Sequence, residues 1–311
     1  MKRKIWLDTD PGFDDWFTML VLAEDPALEW MGISVVAGNA PVAVTFENAG
    51  KICVHYHLQA PLYRGCDRPL KARLETAERI LGAQGMRTTG EILPPAFPAL
   101  HDQHAVDALI AAVRRHPGEI SVVALAPMTN LASALQKAPD ISTKIPEIIM
   151  MGGSTDRGNH TAAAEFNVYA DPEAADIVFN AGIPLRMLGL NLCRQIVITK
   201  SELLQVQALH TPRAQWFAGY LDAYLCIRSS DGSEPMPLYD PVVAAYLARP
   251  QDFEFAPAPV DIELDGRWTR GMTVCEFRRP DQNGAQVQVA TRIDAEAALP
   301  ALMRRLMGRL A

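Results

Sequence analysis

The chain has 311 residues, 49% of them hydrophobic and 21% charged, with a formal net charge of −7 at pH 7. That composition supplies an ample core, and the absence of any Lys/Arg run argues against nucleic acid as a partner. No apolar run approaches the ~18 residues of a membrane span, and "MKRKIWLD" turns acidic too soon for a secretory leader. Cysteines 53, 66, 193, 226 and 275 are scattered and odd in number. They fit a reducing cytoplasm better than a disulfide framework.

Short β-rich runs alternate with helical patterns along the chain. A strand at Ile5–Leu7 leads to a helix near 13–24, then a strand at Ile33–Val36 and a helix near 43–58. Residues 64–103, rich in Gly, Pro and charge, read as a long excursion from the sheet that could serve as an active-site flap. A helix near 104–115, a strand at Ile120–Leu125 and a helix near 129–137 follow. Next come a strand at Ile148–Met151, a helix near 172–181 and a strand at Leu185–Leu188. The pattern is mainly helical from Lys200 to about 249. "APVDIEL", "GMTVCEF" and "AQVQVAT" then look like closing strands before a last helix from Asp294. This rhythm predicts one α/β domain over 1–311: an open, mainly parallel central sheet with helices on both faces. In such sheets the ligand site lies at the carboxyl ends of the strands.

Those ends are chemically alike. The first strand delivers Asp8, Asp10, Asp14 and Asp15 within "LDTDPGFDD", and the second delivers Asn39 in "AGNAPV". "ISVVAL" runs into "APMTNL", "IIMMGG" leads towards "AAEFNVYADPEA", "LRMLGL" ends in "NLCRQ", and Asp240 opens a late helix. Carboxylates buried together repel unless protons or a cation intervene. Oxygen donors of this kind suit Ca²⁺ or Mg²⁺ rather than zinc. An EF-hand does not fit: counted from Asp8, Gly12 falls one place early and Met19 replaces the bidentate Glu.

"LDTDPGFDD" resembles the N-terminal signature of the nucleoside hydrolases, calcium-dependent N-ribohydrolases of inosine–uridine type. The likeness continues in order through "VVAGNA", "ALAPMTNLASAL", "IIMMGG", "AAEFNVYADPEAADIVF" and "YDPVVAAYL". It implies a Rossmann-like nucleoside hydrolase fold, a small ribonucleoside as substrate, and a homo-oligomer, dimer or tetramer. It further implies Ca²⁺ held by Asp10, Asp15, Asp240 and the Leu125 carbonyl. Asp14, Asn39, Glu165 and Asn167 would bind ribose hydroxyls, Met151 would pack against the sugar, and Asp8 would support the ligands from behind. Water deprotonated by Asp10 would attack the anomeric carbon through an oxocarbenium-like state.

The chain departs from this pattern on the side of the leaving base. Tyr239 stands where inosine–uridine members carry a His, and Leu81 in "LGAQG" stands where the flap's "HGxxG" has another. Tyr239 is therefore the candidate to stack on the base or donate to it. Asn191 and Cys193 replace an Asp and a Thr, which is similar to a branch with a cysteine and no active-site His. Cys193 reads either as a small buried hydrophobe or as a substrate-contacting thiol acidified by Arg194. Tyr224 and Arg228 could face the base, or simply belong to an amphipathic helix. None of the seven histidines offers an obvious replacement acid. Two other functions compete. A haloacid dehalogenase-like phosphatase would use Asp8 as nucleophile, but leaves "EFN" unexplained. A calcium-dependent ribose-binding protein would have lost its leaving-group site.

Overall fold

The computed structural model describes residues 2–98, 101–280 and 287–311. Eight strands form the central sheet: β1 Arg3–Thr9, β2 Leu28–Val35, β3 Leu62–Arg64, β4 Ile120–Ala124, β5 Ile148–Met151, β6 Leu185–Leu188, β7 Phe253–Ala258 and β8 Val287–Ile293. Their order across the sheet is β3-β2-β1-β4-β5-β6-β8-β7. Every neighbouring pair is parallel except the edge pair β8–β7.

The central strands alternate between two helical layers, as a sheet covered on both faces requires. Ile5, Leu7, Val123, Leu125, Ile149 and Met151 join one core, and Trp6, Val122, Ala124, Ile148 and Met150 join the other. The first core is covered by the helices Phe13–Ala23, Val42–His55, Pro212–Leu225, Pro241–Ala248 and Ala295–Leu310. The second lies under Ala105–Arg115, Thr129–Lys137 and Pro172–Phe179.

The expected open parallel sheet is present, with the five clearest strands read from the sequence as β1, β2, β4, β5 and β6. Three details differ from expectation. β3 is too short to show a period, because only Leu62 of its three residues is buried. β7 lies largely in a stretch that the sequence pattern assigned to no element, and it pairs antiparallel with β8 to supply the sheet edge. "APVDIEL" and "GMTVCEF" do not extend the sheet: Val260–Ile262 and Thr273–Cys275 form a separate antiparallel ribbon against the helix Pro172–Phe179. The start of "AQVQVAT" lies outside the described residues, as do two residues of the flap.

The flap forms one helical turn at Glu78–Leu81, and buried Met86 and Leu93 anchor it. Among the described residues no helix is long and apolar enough to cross a membrane.

Candidate active site

The site begins where β1 stops. Pro11 has no N–H for a strand ladder, and Gly12 opens the helix Phe13–Ala23. Asp15, in the first turn, folds back to cap this helix. Its Oδ1 accepts from the Thr9 hydroxyl and from Asp10 N–H at 3.2 Å, and its Oδ2 accepts from Gly12 N–H at 3.0 Å. Asp10 reaches to the loop after β2, where its Oδ2 accepts from Asn39 N–H at 2.6 Å. The approach requires glycine at position 38, since any Cβ there would collide with that oxygen. Asn39 Nδ2 returns the contact, donating to the Asp10 carbonyl at 3.0 Å and to Asp15 Oδ2 at 3.2 Å.

Asp8 lies beneath, turned towards the neighbouring strand. It accepts from the Ser34 hydroxyl and from Asn130 Nδ2 at 2.8 Å. Neither Ser34 nor Asn130 stood out in the sequence. The motif "APMTNL" was noted, but nothing local reveals that its Asn reaches β1.

The carboxylates whose oxygens converge within 4.8 Å of one another belong to Asp14, Asp15 and Asp240. The expected ligand set had Asp10 rather than Asp14 beside the other two. The Leu125 carbonyl follows β4, and its oxygen accepts from Asn167 Nδ2 at 2.8 Å. A carbonyl has two lone pairs, so one remains for a cation.

Glu165 caps the short helix Phe166–Ala170. Its Oε1 accepts from Asn167 N–H at 2.9 Å, and its Oε2 from Gly153 N–H at 3.0 Å and Val168 N–H at 3.2 Å. Gly153 adopts φ 69°, and a Cβ there would lie 2.7 Å from Thr273 Cγ2. Asn167 Nδ2 also donates to the Met151 carbonyl at 3.2 Å, which ties the ends of β4 and β5 together. Met151 itself is buried in the core.

Burial dominates the electrostatics. It pushes Asp8 up to about 6 and Asp14 and Glu165 up to about 7. Asp15 is raised, and Asp10 and Asp240 are held well above the usual carboxylate range. For Asp10 and Asp240 burial leads, and repulsion from neighbouring carboxylates adds to it. A hard divalent cation relieves both effects, and the donors present, carboxylate and carbonyl oxygens, are those such an ion takes.

The other predicted residues are spread around this centre. Tyr239 is half-buried and adjoins Asp240, and burial pushes its phenol up to about 12. Cys193 is fully buried and donates to the Tyr239 carbonyl, Sγ···O 3.9 Å. Of the two readings of Cys193, this environment fits the small buried hydrophobe: burial, then Asp240, push the thiol well above its ordinary value. Arg194 turns away to Asp156 Oδ1 at 2.6 Å and to the Arg157 carbonyl at 2.7 Å. Arg228 is exposed, with Nη1 donating to the Pro235 carbonyl at 3.1 Å and Nε 3.7 Å from Glu234. Tyr224 is buried against Phe13, ring centroids 5.0 Å apart, and its hydroxyl donates to the Pro237 carbonyl at 2.7 Å.

The profile described as "Inosine-uridine preferring nucleoside hydrolase" matches residues 5–299. An inosine-uridine preferring nucleoside hydrolase of Crithidia fasciculata is 36% identical over 304 residues, 95% of each chain. A pyrimidine-specific ribonucleoside hydrolase, RihB, of Escherichia coli O9:H4 (strain HS) is 33% identical, covering 95% of this chain and 94% of its own. Among solved structures, a purine-preferring ribonucleoside hydrolase from Gardnerella vaginalis superposes with a TM-score of 0.91 at 30% identity, over 99% of both chains. The signature loop, the carboxylate cluster and these likenesses agree: the chain belongs to the inosine-uridine preferring nucleoside hydrolase family, enzymes that cleave the N-glycosidic bond of ribonucleosides.

Proposed function

We propose that one domain spanning 1–311 hydrolyses ribonucleosides to free base and ribose with Ca²⁺ at the Asp10, Asp15, Asp240 and Leu125 positions. The observation that carries this reading is the convergence of Asp15 and Asp240 with Asp14 at the strand ends, where the buried carboxylates meet no side-chain cation among the described residues. The metal family is a general property of these enzymes; calcium is chosen for the all-oxygen donor set. When bound, the ion lowers the pKa of water and helps orient the sugar diol.

The chain's own residues do the rest. Asp10 Oδ2 is engaged by Asn39, so its other oxygen takes the proton from the attacking water. Asp14, Asn39, Glu165 and Asn167 hold the ribose hydroxyls, and Met151 packs beside the sugar. The surrounding carboxylates favour the positive charge that grows on the ribosyl ring as the C1′–N bond lengthens. Tyr239 meets the base with its ring face. Cys193, packed under Tyr239, shapes that wall, and Arg228 sits at its rim. A cytoplasmic homo-oligomer working in nucleoside salvage is the setting this chemistry fits.

The direct experiment measures base release from inosine, guanosine, uridine and cytidine, with Ca²⁺ and with chelator. Calcium-dependent release from at least one is expected. Activity unaffected by exhaustive chelation would overturn the metal assignment.

A further inference from the structure

A narrow, mainly apolar recess lies against the start of the helix Phe13–Ala23, and its composition bears on the leaving group of the hydrolysis proposed above. Phe13, the residue before Asp14, and Tyr224 form one wall, and Leu81, Met86 and Ile227 contribute to the rest. Its polar groups are engaged. Tyr224 donates to the Pro237 carbonyl, Arg87 Nη2 donates to the Arg79 carbonyl at 3.3 Å, and the Tyr220 hydroxyl accepts from Leu93 N–H at 3.2 Å.

No histidine lines this recess. His55 contacts the Pro94 carbonyl, His104 caps its own helix, His116 sits beside Lys4, and His160 pairs with Glu75. Among the described residues around the recess and Tyr239, the proton donors nearest a departing base are phenols. Their reference pKa is ~10, against ~6.5 for imidazole. On the ribose side lie Asp8, Asp10, Asp14, Asp15, Glu165 and Asp240; Asp8, Asp10, Asp15 and Glu165 accept hydrogen bonds from amides and hydroxyls rather than from Lys or Arg.

A base leaves easily only as a neutral molecule. It either gains a proton while the bond breaks or carries positive charge beforehand. We propose that this site favours N-ribosides whose base is already cationic: pyridinium ribosides and N7-alkylated purine ribosides. The C1′–N bond breaks with its electron pair returning to the ring, which becomes neutral. Water oxygen bonds to C1′, and the water proton passes to Asp10 and then to solvent. No proton has to reach the base. The ring face of half-buried Tyr239 suits a flat cation, and the carboxylates attract one.

The test uses the calcium-loaded enzyme on a matched pair, guanosine and 7-methylguanosine, with nicotinamide riboside and inosine as a second comparison. General-acid help is typically worth ~10²–10⁴-fold, so an enzyme that lacks it should show the full intrinsic advantage of the cationic base. We expect kcat/KM for 7-methylguanosine to exceed that for guanosine by at least ~10²-fold, and nicotinamide riboside to outpace inosine. Guanosine cleaved with a smaller ratio overturns this inference and leaves the hydrolase reading standing. No release from any of the four overturns this inference, and it overturns the hydrolase reading as well when uridine and cytidine are also left intact.

Discussion

Each carboxylate at the centre of the site makes a different set of contacts, and substitutions there should separate their effects. Asp10→Ala removes a proposed ligand and the proposed base together. Calorimetry should show calcium binding lost, and base release should fall by at least ~10³-fold. Retained activity in this variant would remove Asp10 from the mechanism. The ribose contacts make a second claim. A site that pairs buried polar groups with a hydroxyl rejects its absence by up to ~10⁴-fold. Steady-state kinetics should therefore strongly favour inosine over 2′-deoxyinosine, and similar constants for the two would dismiss Asp14, Asn39, Glu165 and Asn167 as hydroxyl binders. Tyr239→Phe keeps the ring and deletes the hydroxyl. With the phenol pushed up to about 12 by burial, proton transfer from it is unfavourable. The variant should keep its rate on inosine within ~10-fold, whereas a loss of ~10²-fold or more would assign the hydroxyl an acid role.

At the scale of elements, the site depends on ties between segments far apart in the chain. Asn48, buried on the helix Val42–His55, donates through Nδ2 to the Pro11 carbonyl at 3.0 Å and to the Gln84 carbonyl at 2.8 Å. One side chain thus joins the metal loop to the flap. Asn130 does the same behind the site, donating to Asp8 and accepting from Cys66 N–H at 2.8 Å. Asn48→Ala should cost about 1–3 kcal/mol of stability, the range for a buried hydrogen-bonding group left without its partner. The flap should also be cut faster by protease, with KM raised more than kcat is lowered. Unchanged proteolysis and KM would show that the flap is held by Met86 and Leu93 alone.

For the whole molecule, the buried carboxylates couple stability to pH and to metal. Asp8 titrates near about 6, and Asp14 and Glu165 near about 7, each raised from ordinary values of 3.8 or 4.5. A raised carboxylate favours the folded state while it is protonated there. Its contribution is complete below the unfolded pKa and is lost as pH rises through the folded one. Without metal, then, Tm should fall between about pH 4.5 and about pH 7.5. Calcium should restore more stability at the upper end of that window, because binding needs the ionised carboxylates. Part-exposed Glu276, lowered to about 2 beside Arg278, titrates outside this window. Thermal scans with chelator and with calcium across the window check the sign: a chelated Tm that climbs with pH contradicts it.

Much of this protein was legible before folding because its strongest signals are local. The alternation of Ile5, Trp6 and Leu7 between two cores is a period of two, and the charge crowded into "DTDPGFDD" marks the end of a strand. Order along the chain was enough to place Asn39, Glu165 and Asp240 at one edge of a parallel sheet. Tertiary structure decided what depends on contacts across many residues. It set Ser34, Asn48 and Asn130 as ties between segments, and turned Arg194 and Arg228 outward to partners on other loops. It buried Cys193 under Tyr239, where lost solvation outweighs the nearby guanidinium and keeps the thiol protonated. It also made β7 an edge strand and split the 260–275 ribbon from the sheet. Periodicity and residue type are carried by neighbours in sequence, whereas burial, charge compensation and strand partnership are properties of the packed chain.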